Sequence, residues 1–134
     1  MGALHGHIAL VTGGTRGIGK AIALRLAAGG ADVAVASHFS DGTPTVRELE
    51  ELGVRALAVQ GDVADPDAVR RLTEAVLRAL GPVDILVNNA AVADPGYRNA
   101  WELAAGSWER MIGVNLSGVY YCCTAVLPGM LSRG

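Results

Sequence analysis

The sequence predicts an α/β chain built on a doubly wound parallel sheet. Three observations lead there: short β-prone apolar runs without polar alternation, helical apolar spacings between them, and brief Gly- or Pro-marked connections. Strand and helix alternate four times, the pattern of successive βαβ units. Apolar runs without alternation suit strands covered on both faces.

The first strand is expected over residues 7–12, stopped by Gly13-Gly14. From Ile18 to Ala28 the apolar spacing becomes helical, and Gly29-Gly30 ends that helix with a left-handed cap. Residues 32–37, built on Val33 and Val35, form the second strand. Asp41-Gly42 turns the chain, Thr43 fits an N-cap, and Pro44 takes the first helical position of a helix reaching about Leu52. The third strand spans residues 55–60. Asp65-Pro66 repeats the cap-and-proline start, and Val69, Leu72, Val76, Leu77 and Leu80 mark an inward stripe. Gly81-Pro82 breaks it before a fourth strand over 83–87. A loop containing Asp94-Pro95-Gly96 leads to a long helix over 107–131, bent near Asn115 and at Pro128.

At 134 residues, with 51% hydrophobic and 18% charged residues, the chain is one domain able to bury a sizeable core. Its net charge is -2 and its 11 basic residues are scattered, so no stripe suited to a nucleic-acid backbone forms. No apolar run nears the ~20 residues that span a bilayer, and the N-terminus lacks the pattern of a signal peptide. Cys122 and Cys123 are adjacent, point about 100° apart on a helix and cannot easily bridge. They read as small hydrophobes in a reducing, cytoplasmic setting. No metal site is expected: His5 and His7 read as solvent-facing, and the Trp101–Trp108 pair as packing the loop against the helix.

The first strand-to-helix turn is Thr12-Gly13-Gly14-Thr15-Arg16-Gly17-Ile18-Gly19. Glycine lets a backbone turn tightly and approach a diphosphate, while the new helix offers free N–H groups and its positive dipole end. A tight turn needs glycine for shape as well, so the motif gains force from sitting between a buried strand and an amphipathic helix. Together with Gly61-Asp62-Val63, Asn88-Asn89-Ala90-Ala91 and Val114-Asn115, it resembles the short-chain dehydrogenase/reductase family over essentially the whole chain.

The resemblance implies a Rossmann-like sheet with four strands in order 3-2-1-4, incomplete relative to the family's fold. It further implies that Gly13, Thr15, Arg16, Gly17, Ile18 and Gly19 form a dinucleotide phosphate loop. Asp62 and Val63 would lie against adenine, Asn88, Asn89, Ala90 and Ala91 would border the cofactor, and Asn115 would be the catalytic asparagine, anchoring a water in a proton relay. Ala91 replaces the family's usual glycine. Taken alone, Asp62 also suits closing a turn, Asn88 and Asn89 suit satisfying backbone groups at a strand end, and Asn115 suits an ordinary polar place in a helix.

In such folds an acid about 20 positions past the glycine turn bonds the ribose 2′-hydroxyl. Here the second strand ends Ala36-Ser37-His38-Phe39, and Arg16 adds a cation. NADP is therefore favoured over NAD, with Ser37 donating a hydrogen bond and His38 adding charge when protonated. The family's later segments supply a serine and Tyr-x-x-x-Lys. Lys20 is the only lysine and precedes Tyr97, Tyr120 and Tyr121, so no such pair exists in these residues. The expectation is a cofactor-binding portion of an enzyme acting on a small carbonyl or alcohol, truncated before the catalytic segment and inactive alone. Alternatives are a non-catalytic nucleotide-binding module and half of a two-chain oxidoreductase. The fourth strand's open edge and the long helix's apolar face imply a homo-oligomer or a complementing chain.

Overall fold

Successive residues of the first strand, β1 (Ile8–Thr12), feed opposite sides of the sheet. Ile8 and Leu10 join one apolar cluster and Ala9 and Val11 another. The period of two therefore persists although every position is buried, because both faces are covered. The computed structural model describes residues 2–96 and 99–134; Met1, Tyr97 and Arg98 lie outside them.

The strands β2 (Asp32–Ser37), β3 (Ala56–Gln60) and β4 (Ile85–Val87) complete a parallel sheet in the order β3-β2-β1-β4, as expected. Two helices, α1 (Gly17–Ala28) and α2 (Thr43–Glu50), cover one face through Ala23, Ala27 and Leu49. On the other face lie α3 (Pro66–Ala79), through Leu72 and Val76, and the final helix α5 (Gly118–Arg133), through Val126. Between β4 and α5 come a 3-10 turn (Ala100–Glu102), α4 (Ala105–Ile112) and a π segment (Gly113–Ser117).

Several local expectations are corrected. The left-handed residue after α1 is Gly30 (φ 97), whereas Gly29 keeps right-handed geometry. Thr43 is not an N-cap: it is the first residue of α2, because Asp41 Oδ1 captures its N–H at 2.9 Å and moves the cap to Gly42. Arg55 stands outside β3, its guanidinium and N–H both turned onto the Asp32 carboxylate. Val83 and Asp84 precede β4, since the Asp84 side chain, rather than backbone alone, receives the Ile8 N–H at 2.9 Å. The start of α3 is as expected: Asp65 caps it by accepting from Asp67 N–H, with Pro66 first. Leu77, however, leaves the inward stripe for solvent, and Ala68 is buried instead.

Trp101 and Trp108 are 83% and 57% exposed, so they do not pack the loop against the helix. The membrane expectation also changes. Ala105–Arg133 is, by length and composition, long and apolar enough to cross a bilayer. No charged residue falls between Arg110 and Arg133, and the polar or helix-breaking Asn115, Ser117 and Pro128 hide the run's length. Here the helix packs against β4 and α3, burying Gly118, Cys122 and Val126. Burial, reinforced by the neighbouring Cys123, pushes the Cys122 thiol up to about 11, which leaves it a packing group rather than a nucleophile. His5 and His7 face solvent, and among the described residues no three side chains gather as a metal site.

Candidate functional site

The strands' carboxyl ends open into a cleft of about 480 Å³, where doubly wound sheets hold ligands. Its floor is the turn between β1 and α1. Gly13 (φ 63) and Gly17 (φ 56) adopt left-handed backbone there, while Arg16 is extended. The amino end of α1 has no side-chain cap and no acidic residue in its first turn. Its leading N–H groups and the positive dipole end are thus left for an anion. A Cβ on Gly13 would come within 2.8 Å of Asn89 Nδ2 and 3.1 Å of Ala90 Cα, whereas one on Gly17 would meet nothing within 4 Å. Gly13 lets the turn pack against the β4 end; Gly17 keeps the backbone accessible.

Ile18 and Gly19 are off the cleft wall. The Ile18 side chain is 76% exposed, and Gly19 is pressed against the turn itself, with an added Cβ 2.1 Å from Gly13 O. Any part they play in the cleft is through backbone N–H. Thr15 lines the cleft and its carbonyl accepts from Thr45 Oγ1 at 3.0 Å, tying the turn to α2. Lys20 points elsewhere, pairing with Glu48 at 2.7 Å.

Behind the turn, Thr12 is 2% exposed and joins the ends of β1 and β4. Its Oγ1 accepts from Asn89 N–H at 3.1 Å and Ala90 N–H at 3.0 Å, and donates to Val87 O at 3.4 Å. Asn89 Nδ2 returns two bonds, to Thr12 O and Gly13 O. Asn88 instead faces Cys123 Sγ at 3.5 Å. Asn89, Ala90 and Ala91 thereby border the cleft with their backbone held fixed.

The other end of the cleft is formed by the tips of β2 and β3. Ser37 and His38 line it, but Ser37 Oγ donates to Ser40 O at 2.7 Å, so its proton is committed and the hydroxyl offers only acceptor capacity outward. The His38 ring lies 3.7 Å from that of exposed Phe39. Asp62 and Val63 line the same end. Asp62 accepts from Ala64 N–H at 3.0 Å and from Arg110 Nη1 at 2.5 Å. Burial pushes the Asp62 carboxyl up, but the hydrogen bonds from Arg110 and Ala64, with the charge of Arg110, outweigh it and hold the group below the usual carboxylate range. Arg110 also places Nη2 3.3 Å from His38 Nδ1. Sequence reasoning missed Arg110: it lies on α4, 48 residues from Asp62, and no motif contains it.

Asn115 is not on the cleft wall, though Val92 and Val114 are. It sits in the π segment, where Oδ1 accepts from Val92 N–H and Nδ2 donates to Val92 O, both at 2.8 Å. The side chain is consumed in clamping the wall segment at Val92, and the widened turn is of a kind found at functional sites.

Comparison with known proteins gives a consistent picture. Residues 7–134 match the family model described as short chain dehydrogenase. The L-rhamnose 1-dehydrogenase (NAD(P)(+)) of Sphingomonas sp. (strain SKA58) is 38% identical over 133 residues, covering 98% of this chain and 52% of the relative. A short chain dehydrogenase from Burkholderia cenocepacia J2315, solved in complex with NADP, is 44% identical with a TM-score of 0.88, over 93% of this chain and 51% of its own. L-Sorbose reductase from Gluconobacter frateurii, solved with NADPH and L-sorbose, has a TM-score of 0.90 at 34% identity, over 100% of this chain and 51% of its own. The chain spans about half the length of the curated relatives it matches. With the family pattern running through nearly all of it, on the strand order such a pattern requires, the chain belongs to the short-chain dehydrogenase/reductase family.

Proposed function

We propose that this chain is the NADP(H)-binding portion of an oxidoreductase that interconverts a small carbonyl and an alcohol by hydride transfer. The observation that carries the reading is the uncapped amino end of α1, flanked by Arg16, above a β2 tip that holds no carboxylate. Among the described residues the Arg16 guanidinium has no hydrogen-bond or ion-pair partner. In this reading Gly13, Thr15, Arg16 and Gly17, with the N–H groups of Ile18 and Gly19, hold the diphosphate. Asp62 and Val63 receive the adenine, Ser37 and His38 border the 2′ position, and Asn89, Ala90 and Ala91 line the path toward the nicotinamide. Asn115 acts as a positioning residue, through Val92. The nicotinamide, when bound, supplies or accepts the hydride. The vacant donors fit a phosphate, and an acid at the β2 tip that would repel a 2′-phosphate is lacking.

Calorimetry on the 134-residue polypeptide is the test. NADPH is expected to bind more tightly than NADH, and neither coenzyme is expected to be turned over with ketones or alcohols. Lys20 is held by Glu48, and no tyrosine precedes a lysine by four positions in these residues. General acid catalysis is worth about 10²–10⁴-fold, so its loss is measurable. Tighter NADH binding would reverse the coenzyme assignment, and sustained NADPH oxidation would reject inactivity.

A second reading, in which the chain works with another copy or a complementing chain, is supported by its apolar surface. β4 has one open edge, and Leu116 on the π segment and Tyr120, Leu127 and Leu131 on the last helix are exposed. Light scattering is expected to give more than a monomer's mass at micromolar concentration; a monomer across the whole range would count against this. A purely non-catalytic module would bind coenzyme and stay inert with any complementing chain. The two free cysteines, one buried, support a reducing compartment such as the cytoplasm.

A further inference from the structure

We propose that Arg110 is a specificity-determining residue that favours the 2′-phosphorylated dinucleotide; this rests on the dinucleotide reading of the cleft. Recognition of the ribose 2′ group falls at the end of the second strand in such sheets. That place is taken here by Ser37 and His38, whose hydroxyl proton and ring are partly occupied. Arg110 reaches it from the opposite wall. One terminal guanidinium nitrogen holds Asp62 Oδ2 and the second terminal nitrogen stands 3.3 Å from His38 Nδ1. The Asp62 contact orients the planar fork, and the 3.3 Å contact with the His38 ring is long and easily exchanged for a phosphate oxygen. A guanidinium carries five N–H donors, so two partners leave others free.

The charge balance points the same way. Asp62 Oδ2 lies 3.9 Å from His38 Nε2, so its carboxylate is a near neighbour of the 2′ position. Left uncompensated it would repel a phosphate monoester carrying about -1.5 to -2 charges. Paired with Arg110 it is neutralised, and Arg16 on the floor then leaves the cleft lining with a net positive charge. A ribose with a free 2′-hydroxyl has little to gain from either effect. Arg110 should therefore alter the ratio of the two affinities rather than both together.

Kd values for NADPH and NADH, measured by calorimetry on the unaltered chain and on Arg110→Met, Arg110→Gln and Arg110→Lys, decide the matter. In Arg110→Met the NADPH Kd is expected to rise about tenfold or more, with the NADH Kd within about threefold. Arg110→Gln keeps a donor to Asp62 without the charge and carries the same test should the methionine variant not fold. Arg110→Lys restores charge and should regain part of the preference. Equal weakening of both coenzymes, or an unchanged ratio, overturns this inference and leaves the dinucleotide reading standing. Failure of the unaltered, folded chain to bind either coenzyme overturns both.

Discussion

Gly19→Ala is expected to cost about 3 kcal/mol or more of stability and to abolish coenzyme binding. A methyl group there would sit 2.1 Å from Gly13 O, 2.4 Å from Asn89 Nδ2 and 2.8 Å from Gly13 C. Two of these atoms are backbone, in a turn already fixed by Asn89 and by the left-handed geometry of Gly13. Relief requires the amino end of α1 to lift off the turn, which moves the phosphate-facing N–H groups as well. Chemical denaturation reads the first effect and calorimetry with NADPH the second. Gly17→Ala is the control, because its φ of 56 is left-handed but its Cβ would meet nothing within 4 Å. That variant should lose only about 1–2 kcal/mol. Equal losses at the two positions would show that conformation, not close approach, governs the motif.

Thr12→Val should cost about 3 kcal/mol although it conserves shape. The hydroxyl accepts from two backbone N–H groups, those of Asn89 and Ala90, at a position that water does not reach. Valine leaves both donors unpaired, at about 1–3 kcal/mol each. Thr12→Ser keeps the oxygen and loses a methyl, a change of about 1 kcal/mol. A midpoint shift in urea several times larger for valine than for serine is the expected result. Similar shifts would mean that packing, rather than the hydroxyl, joins β1 to β4.

Elements whose chemistry is local were legible in the sequence. β1 and β2 could be placed because apolar runs bounded by glycine have few other uses, and α3 because Asp65-Pro66 both caps and starts a helix. The cleft's floor was legible for the same reason, since glycines and an uncapped helix start adjoin in the chain. What escaped depends on partners that only the folded chain brings into reach. Ser37 looked like a donor until the return of the chain put Ser40 O beside it. Arg110 is one of many helix cations until the sheet brings Asp62 and His38 to it. Leu77 and Trp101 fit apolar patterns, yet which neighbour covers them is decided by the fold, and here none of the described residues does so fully.

The wide turn at Gly113–Ser117 sets the rotational phase of everything after it. With Asn115 bolted to Val92, that turn acts as a fixed spacer: Val114 faces the cleft on one side of it, and Gly118, Cys122 and Val126 meet the sheet layer on the other. Removing a single residue there would let the backbone close into a plain helix with little change of downstream phase. A π turn holds about one residue more than an α-helix needs for the same rotation. A residue lost after it, within α5, would spin the rod beyond by about 100°. In that case the thiol and valine now inside would swing outward together, so the loop before α4 can change length far more freely than this rod.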